Sequence, residues 1–145
     1  MKRKPIATSI FTVVFSLLLT GCQSVSAPEA ILPVPQEKQV NWQKMETYAF
    51  VHFGLNTFND LEWGYGNTPA STFNPTDLDC DQWAQTIKAA GLKGVILTTK
   101  HHDGFCMFRT ATTDYNSYDA TPGKRDFIKE MAEACKRGGI NFGIY

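Results

Sequence analysis

"KGVILTTKHHDGF", residues 93–105, decides how this chain folds. Its first half is apolar and β-branched, the composition of a strand buried on both faces. Its second half drops at once to two adjacent histidines, an aspartate and a glycine. A strand that ends in chemistry-bearing side chains is the pattern of parallel α/β folds, where functional groups collect at the carboxyl ends of strands.

The flanking sequence repeats that pattern. Upstream, "YAFVHFG" at 48–54 is a near-continuous apolar run closed by glycine and reads as a first strand, again buried on both faces. A stretch rich in Gly, Asn, Thr and Pro follows over residues 55–78, far longer than an ordinary βα loop. Asp79 is then placed to cap a helix, with Gln82 as its capping-box partner. Trp83, Ile87 and Ala90 form that helix's inner stripe, and Gly91 stops it. Downstream, residues 126–136 give a second helix with Phe127, Ile128, Met131 and Cys135 inward. Glu133 and Arg137 have the i,i+4 spacing of an ion pair, and Gly138-Gly139 ends the helix. "INFGIY" at 140–145 is a third strand.

The order strand–helix–strand–helix–strand predicts an α/β fold with a parallel sheet. Neither GxGxxG nor GxxxxGK[ST] occurs, so the usual nucleotide-binding signatures are missing. Two architectures remain: a small open α/β domain, or the opening units of a (β/α)8 barrel, which needs about 250 residues. A last apolar strand with no helix to cover it favours the barrel, and the chain then reads as the N-terminal part of a longer protein.

The 145 residues carry 14 Lys+Arg against 14 Asp+Glu and are 43% apolar, so the chain is globular and offers nucleic acid no basic surface. The N-terminus is different. Lys2, Arg3 and Lys4 precede an apolar core at 6–19 that is short for a bilayer span, and Leu19-Thr20-Gly21-Cys22 closes it. This resembles the signal and lipobox of bacterial lipoproteins. The resemblance implies a signal peptide over 1–21, an acylated Cys22, and an exported protein anchored to the membrane on its periplasmic or surface side. Residues 22–40, with three prolines between 28 and 35, read as an extended tether, and the folded domain as 41–145 beginning near Trp42. Cys80, Cys106 and Cys135 remain. Their odd number and lack of a CxxC spacing predict neither disulfides nor a cysteine metal site.

All three histidines fall on one predicted rim. His52 ends the first strand, and His101 and His102 end the second. The long first loop brings Glu62, Trp63 and Tyr65 above them. Zinc is disfavoured, because adjacent residues on an extended chain point opposite ways. Polyol recognition fits better: neutral imidazoles donate and accept, Glu62 accepts from hydroxyls, and Trp63 offers a flat apolar face. One carboxylate does not make a glycosidase pair.

"YAFVHFGLNTF", "EWGYGN", "FNPTDLDCDQWAQTIKAAGLKGVILTTKHHDGFCMF" and "FGIY" together resemble the N-terminal part of the catalytic barrel of family 29 glycoside hydrolases, the α-L-fucosidases. The resemblance covers residues 42–145. It implies an exo-acting, retaining enzyme that removes terminal α-L-fucose from glycans without a cofactor or a metal. His52, His101, His102, Glu62 and Trp63 would hold the sugar, Asp103 and Gly104 would shape the turn, and Tyr145 matches a strand-end tyrosine. The aspartate nucleophile and the acid/base are expected beyond Tyr145, so no catalytic residue is assigned within the chain and these residues alone are expected to be inactive. The competing expectations are a non-catalytic fucose-binding surface lipoprotein and a metal-dependent hydrolase built on the three histidines.

Overall fold

A computed structural model describes residues 25–145. The signal-like segment and Cys22 lie outside the described residues. Residues 25–35 are exposed and form neither helix nor strand. They belong to a unit separate from Gln36–Tyr145, which holds every helix and strand discussed below.

The second unit opens with α1 (Glu37–Met45), earlier than Trp42 and inside the stretch read as tether. Three prolines drew that reading, yet none lies past residue 35. The helix is started by a local device that composition hides. Gln36 N donates to Gln39 Oε1 at 2.8 Å, while the Gln36 carbonyl accepts from Gln39 N and Val40 N. Glu37 in the first turn and Lys44 in the last complement the helix dipole.

Three short strands, β1 (Ala49–Val51), β2 (Gly94–Leu97) and β3 (Asn141–Ile144), form one parallel sheet in the order β1-β2-β3. Ala49, Val95 and Phe142 share one register position and Phe50, Ile96 and Gly143 the next. The crossovers contain α2 (Cys80–Ala89), a one-turn α3 (Ser117–Ala120) and α4 (Phe127–Gly138). Asp79 caps α2 by accepting from Gln82 N at 3.0 Å. The reciprocal half of the expected capping box is absent, because the Gln82 amide turns along the helix to Thr86 Oγ1. Asp126 caps α4 through Lys129 N at 2.9 Å. Gly91 (φ 80°) and Gly139 (φ 69°) supply the left-handed residues that end α2 and α4.

Helices α2 and α4 cover one face of the sheet. Val95 and Leu97 are buried there against Ala84, Ile87, Met131, Ala134, Cys80 and Cys135. Ala90, expected on the inner stripe, is exposed; Ala84, six residues closer to the cap, is the buried alanine of that helix. Arg137 does not pair with Glu133. It forms a bidentate bridge to Asp81 on α2, both bonds 2.9 Å, because the two helices pack side by side. The opposite face is less covered than the apolar runs suggested: Phe50 is 50% exposed. A second cluster, Leu55, Phe73, Phe105, Met107 and Phe127, sits beneath the long first loop and gives it a floor.

Candidate functional site

The site is assembled where the strands end, and two threonines build its frame. Thr98 N donates to Val51 O at 3.2 Å, and Thr98 Oγ1 donates to Phe53 O (2.8 Å) while accepting from Phe53 N (3.2 Å). His52 is thereby held between two fixed peptides just past β1. Thr99 does the same on the other side: its N and its Oγ1 both donate to Tyr145 O, at 2.8 and 2.6 Å. The Thr-Thr pair that reads as a plain continuation of β2 is a stitch that ties three strand ends together.

His101 and His102 follow in a tight turn. Gly104 N donates to His101 O at 3.0 Å with Gly104 at φ 79°, and Asp103 Oδ1 accepts from Phe105 N at 3.0 Å. The segment then returns beside itself, with Lys100 and Cys106 bridged antiparallel and Met107 N donating to Thr99 O at 2.8 Å. Because the two histidines sit in this turn and not on an extended strand, their rings do not point apart. They meet at 4.6 Å between centroids, almost perpendicular. That removes the ground on which zinc was disfavoured, although among the described residues no group of three or more His, Cys, Asp or Glu converges as a metal centre would.

The rings form a row along the rim. His52 meets His101 at 4.3 Å, His101 meets His102 at 4.6 Å, and Trp63 lies 5.4 Å beyond His102. Tyr145 stands 6.4 Å from His101 and packs on Phe50. Glu62 lines the cleft in front of this row together with His52 and His101. All five residues singled out from the sequence therefore converge: His52, Glu62 and His101 in the cleft, His102 and Trp63 at its lip. Lys100 and Asn56 also line the cleft without having been singled out from the sequence, and Asp103, expected to shape the turn, lines it too. Lys100 carries a visible cue, since it directly precedes the histidine pair at a strand end.

His101 is the electrostatic centre. Burial holds its imidazole below the ordinary histidine value, and the neighbouring His52 and His102 rings push the same way; Asp103 and Glu62 oppose them. Its Nδ1 is shielded from solvent with no hydrogen-bond partner. An unpaired acceptor costs less than an unpaired donor, so the ring is cheapest with its proton on Nε2. A second proton would have to go onto the shielded Nδ1, which again favours the neutral form. The row is thus a set of ring donors and acceptors around a His101 that resists charging, beside one exposed carboxylate and one exposed lysine, and it is suited to hydroxyl groups.

A family model described as alpha-L-fucosidase matches residues 21–145. Among curated proteins, Alpha-L-fucosidase 1 of Arabidopsis thaliana is 42% identical over 94% of this chain and 29% of its own length. Among solved structures, a glycoside hydrolase 29 family member from an unknown rumen bacterium superposes with a TM-score of 0.74 at 51% identity, over 78% of this chain and 21% of that one. A Ruminococcus gnavus GH29 fucosidase solved in complex with fucose gives 0.72 at 37% identity, over 84% and 26%. The chain spans less than a third of the length of each.

Proposed function

This chain belongs to the alpha-L-fucosidase family, and from that premise we propose that its rim is the hydroxyl-binding corner of a retaining exo-α-L-fucosidase. The observation that carries the reading is the row His52–His101–His102–Trp63 facing Glu62. Neutral imidazoles accept and donate to sugar hydroxyls, Glu62 accepts, and Trp63 covers an apolar sugar face. The sheet is the opening of a (β/α)8 barrel, in which strand ends carry the chemistry. Retaining hydrolysis needs a nucleophilic carboxylate and an acid/base about 5–5.5 Å apart. Glu62 is the exposed carboxylate of this cleft, and Asp103 is buried and committed to backbone and amide, so residues 25–145 position sugar without cleaving it.

The test is an aryl α-L-fucoside assay on this chain and on a version extended to the full length of the family's catalytic domain. The short chain should show no turnover. In the extended protein, His101→Ala, His102→Ala and Glu62→Ala should each lower kcat/KM by roughly 10- to 100-fold. Unchanged kinetics in all three variants would remove the row from the sugar site, and turnover by the short chain would put the chemistry on Glu62 and Asp103.

We also read Cys22 as the acylated residue of an exported lipoprotein, on the charged n-region, the apolar core and the Leu-Thr-Gly-Cys order. Cys22→Ser should move the protein from the membrane fraction to the soluble one. Retention of the variant in the membrane fraction would rule the anchor out.

A further inference from the structure

The loop carrying Glu62 and Trp63 has a problem of support. Trp63 is 61% exposed, Tyr65 is 90% exposed, Leu61 and Glu62 are exposed, and the segment has no regular structure. Side chains this open do not hold a backbone in place through packing. Yet Trp63 meets His102 and Glu62 faces the cleft, so the support must come from beneath.

It comes from two buried polar residues on different segments. Asn56, 7% exposed in the 3-10 turn Leu55–Asn59 after β1, grips the loop at two amides that flank Glu62 and Trp63. Its backbone carbonyl accepts from Leu61 N at 3.2 Å. Its side-chain oxygen, with the amide oriented to meet complementary groups at both ends, accepts from Gly64 N at 3.1 Å. The other end of that amide donates to Asp103 Oδ2 at 3.1 Å. Asp103, 6% exposed in the histidine turn, uses its Oδ1 for Phe105 N. Glycine is required where loop and turn touch: a Cβ on Gly64 would fall on the Asn56 amide and 2.9 Å from Asp103 Cβ. Gly66, at φ 74°, would place one 3.0 Å from Asp103 O.

We propose that Asn56 and Asp103 are positioning residues that lock the Glu62–Trp63 loop onto the histidine turn, so that both walls of the cleft form one preassembled body. A carboxylate desolvated in this way is costly unless its oxygens are all used, and Asp103 meets that condition only through Asn56. The pair supports no helix or strand; its hydrogen bonds go to the loop and to the turn. The value of the arrangement for sugar binding rests on the fucosidase reading above, whereas the lock itself is a matter of geometry and is tested without sugar.

The experiment exchanges the two residues. Asn56→Asp sets two buried carboxylates against each other, and Asp103→Asn leaves one hydrogen bond unmade whichever way the amides turn. The double variant Asn56→Asp/Asp103→Asn keeps the bonds to Gly64 N and Phe105 N and reverses the donor between the two side chains. The chain is labelled with 5-fluorotryptophan, which gives three 19F resonances, with that of Trp63 assigned by Trp63→Phe. Each single variant should shift or broaden the Trp63 line while leaving that of Trp83, packed on Phe53 beside the core, where it was. The exchanged pair should bring the Trp63 line back. A Trp63 line unmoved by the single variants, or not restored by the exchange, would overturn the proposal. So would loss of the Trp83 line together with it, since the pair would then be supporting the whole fold. With no sugar in the tube, failure of the fucosidase reading leaves this result standing.

Discussion

The two faces of the sheet are made from similar residues and treated differently. On the helix-covered face, Val95 and Leu97 are at 1–2% exposure, and the side-chain caps Asp79 and Asp126 start the helices that lie over them. On the other face, Phe50 is half exposed and Tyr145 is 61% exposed, and the rim above is held by hydrogen bonds from Thr98, Thr99, Asn56 and Asp103. Apolar burial, which has no direction, secures the first region. Directional polar contacts, which fix angles, secure the second. Stability and placement are therefore carried by different residues, and substitutions should separate them.

The sharpest separation comes from the covered face. Met131, fully buried between α4 and the sheet, should cost about 2–5 kcal/mol when changed to Ala, whereas Phe50→Ala, already half in water, should cost about 1–2 kcal/mol despite deleting a larger side chain. Urea unfolding midpoints of the two variants decide it, and equal losses would mean that the two faces contribute alike. A smaller effect belongs to the rim. His101 is held below its ordinary pKa in the folded chain, so the unfolded chain binds its proton first as the pH falls. Its contribution is complete above about pH 6.5, the ordinary histidine value, and is lost as the pH drops toward the lower folded value. His101→Gln should flatten the pH dependence of the unfolding midpoint across that window. An unaltered slope would move the acid sensitivity to other groups.

Much of the covered face was legible because its signals are local. Asp79, Asp126, Gly91 and Gly139 act within a few residues of themselves, and helix periodicity brought out Ile87, Met131 and Cys135. The three histidines were legible as a group because strand ends in a parallel sheet share one side. Tertiary pairings were not. Arg137 chose Asp81 across 56 residues over Glu133 in its own helix, and nothing in the spacing announces that two helices pack side by side. Asn56 and Asp103 are likewise partners only after folding: Asp103 stands out in the sequence as part of the histidine turn, but nothing there ties it to Asn56. The histidine turn misled in another way: adjacent residues point apart on a strand but not around Gly104.

Two buried cysteines, Cys80 and Cys135, give the covered face a chemical signature. Burial pushes the Cys80 thiol up to about 11, helped by nearby carboxylates, and raises Cys135 as well. At neutral pH a thiol at 11 is ionised in about one molecule in ten thousand, and only the thiolate attacks an alkylating reagent. Cys80 and Cys135 are thus silent toward such reagents for as long as the two helices stay on the sheet. Their rate of modification is a clock for the opening of that face, and motions confined to the rim do not run it.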